Sequence, residues 1–119
     1  MLLGLGPDGP VSGRRVAITG IGVVSSVGAG ADAFWTGLHG PAPDGERRVP
    51  DFEPDQWFST KEARTLDRFA QFSVAVAEMA LADAGELDAD PGRSGVIMGT
   101  GVGGLQSLET QILVYAEKG

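Results

Sequence analysis

An α/β architecture with parallel strand pairing is what this sequence predicts, and three observations carry the prediction. Short apolar runs at Val16-Ala17-Ile18-Thr19 and Val96-Ile97-Met98 have strand character. The stretch between them and the stretch after them carry apolar residues at helical spacing. Each run breaks into glycines, so the return to the sheet passes through helix, which is the connection parallel strands need.

In chain order, residues 1–13 are expected to be a flexible lead, with the folded unit running from Arg14 to Gly119 and incomplete at its C-terminal end. Val16 to Thr19 reads as a buried strand, Gly20-Ile21-Gly22 as a turn, and Val23-Val24 as a resumption of the strand. Ala31 to Leu38 reads as a short helix, with Phe34 and Leu38 four apart and Asp32 in the first turn.

From His39 to Phe58 the chain carries Pro41, Pro43, Pro50 and Pro54 among charged residues, a composition that suits a surface loop or arm. Ser59-Thr60-Lys61-Glu62 fits a capping box and is expected to open a long helix. Leu66, Phe69, Ala70, Ser73, Ala77, Ala80, Leu81 and Ala84 recur at three and four, while Phe72, Val74, Val76 and Met79 widen the apolar surface. The expectation is one helix buried on most sides and stopped by Gly85. After Val96 to Met98, the glycines at 99–104 lead into Leu105, Leu108, Ile112 and Tyr115, one face of a last helix. Two strands are too few for a finished sheet.

Composition narrows the function. The 119 residues are 42% apolar, enough for a core. Nine Lys and Arg stand against 16 Asp and Glu, a formal charge of −7, which argues against phosphate-backbone binding, so no nucleic-acid partner is expected. With no cysteine and one histidine, His39, the chain cannot supply a thiol nucleophile or a Cys/His metal cluster. No catalytic residue and no metal site is therefore assigned. The first residues lack the basic start of a secretion signal and no apolar run is long enough to cross a bilayer, so no membrane association and a soluble, cytoplasmic protein are expected.

Three features invite a functional reading. Gly99, Gly101 and Gly104 satisfy G-x-G-x-x-G between a strand and a helix, the setting of a pyrophosphate site, and Gly20-Ile21-Gly22 is a near-match with Ser25 in place of the third glycine. Neither is followed about twenty residues later by a strand with an acidic end. Close backbone packing is the stronger reading of these glycines, with a nucleotide-binding oxidoreductase as the alternative. Lys61, Arg64 and Arg68 line one helix face, as a binding stripe or as a solvated face in which Arg64 pairs with Asp67; periodicity alone favours the latter. Trp35, Trp57, Phe34, Phe52 and Phe58 suit core or dimer packing better than base stacking in so acidic a chain.

Arg14 to Ser25, then Leu66-Asp67-Arg68-Phe69-Ala70-Gln71-Phe72, then Gly99-Thr100-Gly101-Val102-Gly103-Gly104-Leu105 together resemble the opening of the β-ketoacyl synthase family, the elongating type II enzymes in particular. The resemblance runs from Arg14 onward. It implies the amino-terminal part of a thiolase-like αβαβα layered fold, in a homodimeric or heterodimeric parent without organic cofactor. It implies a decarboxylating Claisen condensation in fatty-acid biosynthesis, joining an acyl chain to malonyl-acyl carrier protein through a cysteine and two histidines that lie beyond Gly119 in such proteins. Acyl carrier protein and the acyl and malonyl thioesters are the implied partners.

On positions present here, the resemblance places Val102, between Gly101 and Gly103, as a gate on the acyl pocket, and makes Lys61 and Arg64 a docking site for the acidic carrier protein. Thr65 stands where the family often has a basic residue. A polyketide ketosynthase or chain-length partner subunit is the alternative within the fold. A non-catalytic interaction module is the alternative outside it.

Overall fold

Ser26 and Val27 make a turn that lets β1 (Val24–Ser25) fold back on β2 (Gly28–Ala29), Val24 facing Ala29 and Ser25 facing Gly28. A link of two residues joins strands only in antiparallel fashion, so this pair is a local hairpin, separate from the parallel pairing expected between the runs at 16–19 and 96–98. It is the one ladder among the described residues, which in this computed structural model are 16–50 and 52–119. The expected lead at 1–13 and the first two residues of the Arg14 block lie outside them.

The helices follow in order: α1 (Ala31–Leu38), a 3₁₀ turn at Pro54–Gln56, α2 (Thr60–Thr65), α3 (Arg68–Ala84), a 3₁₀ turn at Pro91–Arg93, and α4 (Leu105–Lys118). The single helix expected from Ser59 to Ala84 is thus two. Leu66 and Asp67 both leave the helical region, at φ −105°, ψ 131° and φ −61°, ψ 152°, and Asp67 becomes the N-cap of α3. Periodicity alone misses such a break, because Leu66 keeps its place in the apolar pattern. Gly85 ends α3 at φ +71°, as expected of a glycine stop.

The expected strands at Val16–Thr19 and Val96–Met98 are extended chain without a ladder partner among the described residues. Val16, Ile18 and Ile97 are 91%, 84% and 97% exposed. A strand is defined by the neighbour that takes its backbone hydrogen bonds, and the apolar character of these segments marks where such neighbours would sit. Both segments nonetheless lie along α3: Thr19 and Gly20 on one side and Gly95, Val96 and Ile97 on the other flank a groove of about 320 Å³ floored by Ala77, Ala80, Leu81 and Ala84.

Small residues explain how closely the first segment approaches. A Cβ on Gly20 would run into the backbone at Ala80 and Ala84, and one on Gly22 into the backbone at Val76 and Ala80. Between them the Ile21 N–H donates to Asp83 Oδ2 at 2.8 Å. These glycines therefore serve close packing against α3, the stronger of the two readings given to them.

The core is small. Phe52, at 5% exposure, Ala75 at 0% and Gln71 are the buried residues among those described, and α3 is not covered on most sides as expected: Phe69, Val74 and Leu81 reach solvent. The Cα radius of gyration is 18.9 Å, against about 13.5 Å for a closed globule of this length, so the elements are spread around α3 rather than wrapped upon one another. Unpartnered apolar faces of this size favour association.

Two outcomes are expected. The chain made alone should dimerise or aggregate, and sedimentation showing a stable monomer would contradict the exposed faces. Replacing Gly22 by Ala should cost about 1–3 kcal/mol by overpacking against Val76 and accelerate amide exchange at residues 20–23. Gly95→Ala, where a Cβ meets nothing within 4 Å, should be neutral.

Candidate docking face and glycine loop

Lys61 and Arg64 lie on α2, one turn apart, and both are exposed. The helix that presents them is short and depends on its start. Ser59 caps it: the Ser59 N–H and hydroxyl donate to Glu62 Oε2 at 2.9 and 2.6 Å, and the Glu62 N–H donates back to Ser59 Oγ at 3.4 Å. The box expected from the sequence is present in full. These bonds, the Ser59 hydroxyl first and its backbone N–H second, hold the Glu62 carboxyl below the usual carboxylate range.

The solvated-face alternative for this stripe required Arg64 to pair with Asp67. Among the described residues the one ion pair is Arg48 with Glu46, and Asp67 turns elsewhere. Arg68, the third member of the stripe, turns away from Lys61 and Arg64 to the arm. Its guanidinium carbon lies 4.6 Å from the Phe52 ring centroid and 4.9 Å from that of Phe72. Those two rings meet edge to face at 4.9 Å. Arg68 also donates to the Phe52 carbonyl and to Gln71 Oε1, both at 3.2 Å. A planar cation held between two rings and a carbonyl pins the 39–58 arm to α3, so that arm is not a free loop at Phe52.

Gln71 completes the attachment of α2. Its Nε2 donates to the carbonyls of Ala63 and Leu66 at 2.8 and 3.3 Å, satisfying the end of α2 from the first turn of α3. Sequence reasoning missed Gln71 and the role of Arg68. A polar residue inside an otherwise apolar helix face was the available signal for the first, and the helix break hid the second.

The glycine loop sits across from this junction. Gly103, at φ +73°, lies against the Phe69 ring, where an added Cβ would be 3.8 Å from Cζ, and its N–H donates to Thr100 Oγ1 at 3.0 Å. Val102 projects from the loop at 72% exposure, and an added Cβ on Gly99 or Gly101 would meet nothing within 4 Å. Gly104 caps α4 and lies directly on the Asp67 carboxylate, which accepts from the Ser107 hydroxyl.

That carboxylate decides against the dinucleotide alternative. A pyrophosphate at the start of α4 would meet a like charge already seated there. At the other near-match, the Ile21 N–H is taken by Asp83. His39, the lone imidazole, closes α1 with Nδ1 2.7 Å from the Trp35 carbonyl oxygen and its ring edge-on to Trp35. The scattered aromatics likewise form no common surface: Phe52 is core, and Trp35 is exposed.

The two blocks thus brought together, residues 66–72 and 99–105, fall within the region that matches the profile of the β-ketoacyl synthase N-terminal domain, residues 39–119. The chain belongs to the β-ketoacyl synthase family. Among curated proteins, this chain is 37% identical over 125 residues to the 3-oxoacyl-[acyl-carrier-protein] synthase 2 of Synechocystis sp., covering 89% of this chain and 30% of that protein. It is 34% identical over 132 residues to the enzyme of that name from Rhizobium meliloti, covering 89% and 31%. It is 37% identical over 124 residues to the granaticin polyketide putative beta-ketoacyl synthase 1 of Streptomyces violaceoruber, covering 89% and 29%. The chain therefore spans about 30% of the length of the curated relatives it matches.

The sign of the Glu62 shift sets a pH dependence. Its folded pKa is depressed, so its stabilisation of α2 is complete above the ordinary Glu range and is lost as pH falls through the lower folded value. Ser59→Ala should move the Glu62 titration, followed by side-chain NMR, back toward the usual range and fray α2 near neutral pH. An unmoved titration would contradict the cap.

Proposed function

We propose that this chain works as the amino-terminal part of a 3-oxoacyl-acyl carrier protein synthase, an acyltransferase that extends an acyl chain by decarboxylating condensation with malonyl-acyl carrier protein in fatty-acid biosynthesis. The observation that carries the reading is the match of residues 39–119 to the β-ketoacyl synthase N-terminal domain, joined to relatives named 3-oxoacyl-[acyl-carrier-protein] synthase 2. Malonyl decarboxylation releases carbon dioxide and leaves a carbanion, which attacks the acyl thioester carbon and expels the cysteine thiolate. This chain has no cysteine, so the thiol comes from outside these 119 residues. The polypeptide alone is inactive in condensation.

What these residues contribute is delivery and selection. Lys61 and Arg64 form an exposed cationic pair in a chain of net charge −7, suited to steering an acidic carrier protein to this end of the molecule. Val102 narrows the acyl channel, with Gly101 and Gly103 letting the backbone approach the chain. The groove between the two extended segments along α3 is one layer boundary of a thiolase-like αβαβα fold, and the exposed apolar segments meet the remaining layers and a dimer partner. The protein acts in the cytoplasm; no helix among the described residues is long and apolar enough to cross a membrane.

A polyketide ketosynthase or chain-length partner is the second reading, favoured by the 37% identity to the granaticin synthase. Acylation of a cysteine in the synthase-length protein by long saturated chains supports the first reading. Acceptance of poly-β-keto intermediates supports the second.

Three outcomes are expected. Acyl transfer from an acyl carrier protein to this polypeptide should be undetectable, and measurable transfer would refute its inactivity. Lys61→Glu with Arg64→Glu should slow carrier association about tenfold at low salt and flatten its salt dependence, whereas unchanged kinetics would leave the pair a solvated face. In the synthase-length protein, Val102→Phe should exclude long acyl chains while sparing short ones, by more than the about 1–3 kcal/mol that one methylene gives. A uniform loss across a chain-length series would make Val102 mere packing.

A further inference from the structure

Asp67 sits at the starts of two helices at once. It is the N-cap of α3, a place where an aspartate ordinarily turns its carboxylate onto the amides of its own helix. Here it makes no such bond. The carboxylate crosses instead to α4, where it accepts from the Ser107 hydroxyl in the first turn and lies against Gly104, leaving no room there for a Cβ. A negative charge at that helix start is favourable, so forgoing the local cap is compensated by a bond between elements.

The contacts on either side of Asp67 are short and stiff. Toward α2, Gln71 holds the carbonyls of Ala63 and Leu66, so the helix bearing Lys61 and Arg64 is fastened to the first turn of α3. Toward the loop, Gly103 rests on Phe69 and bonds to Thr100 across Val102, and the Leu105 N–H donates to the Gly103 carbonyl at 3.0 Å. On the path from the helix bearing Lys61 and Arg64 to Val102, the long side chain is Gln71, and it is buried and held by the two carbonyls it bonds.

We infer that Asp67 is a positioning residue that fixes the register between the carrier-docking helix and the loop carrying Val102, so that a carrier seated on α2 delivers its chain to a gate of set geometry. What the two ends do rests on the function proposed above; the tie itself rests on the contacts of Asp67. Because coupling is reciprocal, a carrier bound at α2 also steadies the loop, and loss of the carboxylate uncouples them.

Hydrogen–deuterium exchange on the synthase-length protein, read peptide by peptide by mass spectrometry, tests the tie. Asp67→Ala and Ser107→Ala should each speed exchange at residues 102–105 about tenfold, and the double variant should do no more than either alone. Gly104→Ala, whose Cβ displaces the carboxylate, should reproduce the effect without touching either partner. The isosteric pair Ser107→Thr and Ser107→Val separates hydroxyl from packing: threonine should keep protection and valine lose it. Equal exchange in that pair, or additive effects in the double variant, overturns the tie.

A second arm adds acyl carrier protein. Loop exchange should slow in the unmodified chain and not in Asp67→Ala, although both bind the carrier. Binding without any effect on the loop in either chain refutes the coupling. If the carrier does not bind the unmodified chain, the docking role of Lys61 and Arg64 falls while the first arm still decides the tie.

Discussion

Where α2 gives way to α3, the break at Leu66 and Asp67 leaves a helix start whose backbone N–H groups need partners and whose polar side chains face three directions. Asp67 goes to α4, Arg68 to the arm at Phe52, and Gln71 to the end of α2. One turn of helix therefore touches the arm, the end of α2 and the start of α4, and the 3₁₀ turn at Pro54–Gln56 packs on α2 as well. The buried residues lie nearby: Phe52 against Arg68, Gln71 in the first turn of α3, and Ala75 about one turn further on.

Around that hub the chain is open. Apolar segments at 16–18 and 96–98 and most of α4 face solvent, and the groove along α3 is floored by alanines that permit close approach without filling the space. Membership of the β-ketoacyl synthase family and coverage of about 30% of the curated relatives give those faces a physical meaning. Under the function proposed above they meet the remaining layers of a synthase-length protein, whereas the network at the head of α3 is made within these residues.

How much was legible beforehand follows from the range of each interaction. The Ser59 cap, α1, the stop at Gly85 and the start of α4 are written within a few residues and appear as read. The parallel strands were not, because strand identity depends on neighbours many residues away, and the same apolar runs are compatible with bare extended chain. The break at Asp67 escaped notice since an aspartate can stand within a helix as well as cap one. Gly20 and Gly22 were rightly read as packing glycines, although only their contacts with Val76 and Ala80 say what they pack against. Of the candidate site, Lys61 and Arg64 stand out by helical spacing and Val102 by its place between two glycines, while the roles given to them come from the resemblance and belong to the function proposed above. Asp67 was weighed only as a partner for Arg64, and Gln71 lay in its block as an unremarked polar residue.

Residue-resolved amide exchange across the native chain tests the hub most directly. If the first turns of α3 hold the structure together, the slowest amides should fall in Gln71 to Met79, and α2, the arm at Phe52 and the start of α4 should open together at a lower free energy. Slowest exchange in α4 or in residues 16–19, with the head of α3 opening first, would contradict it.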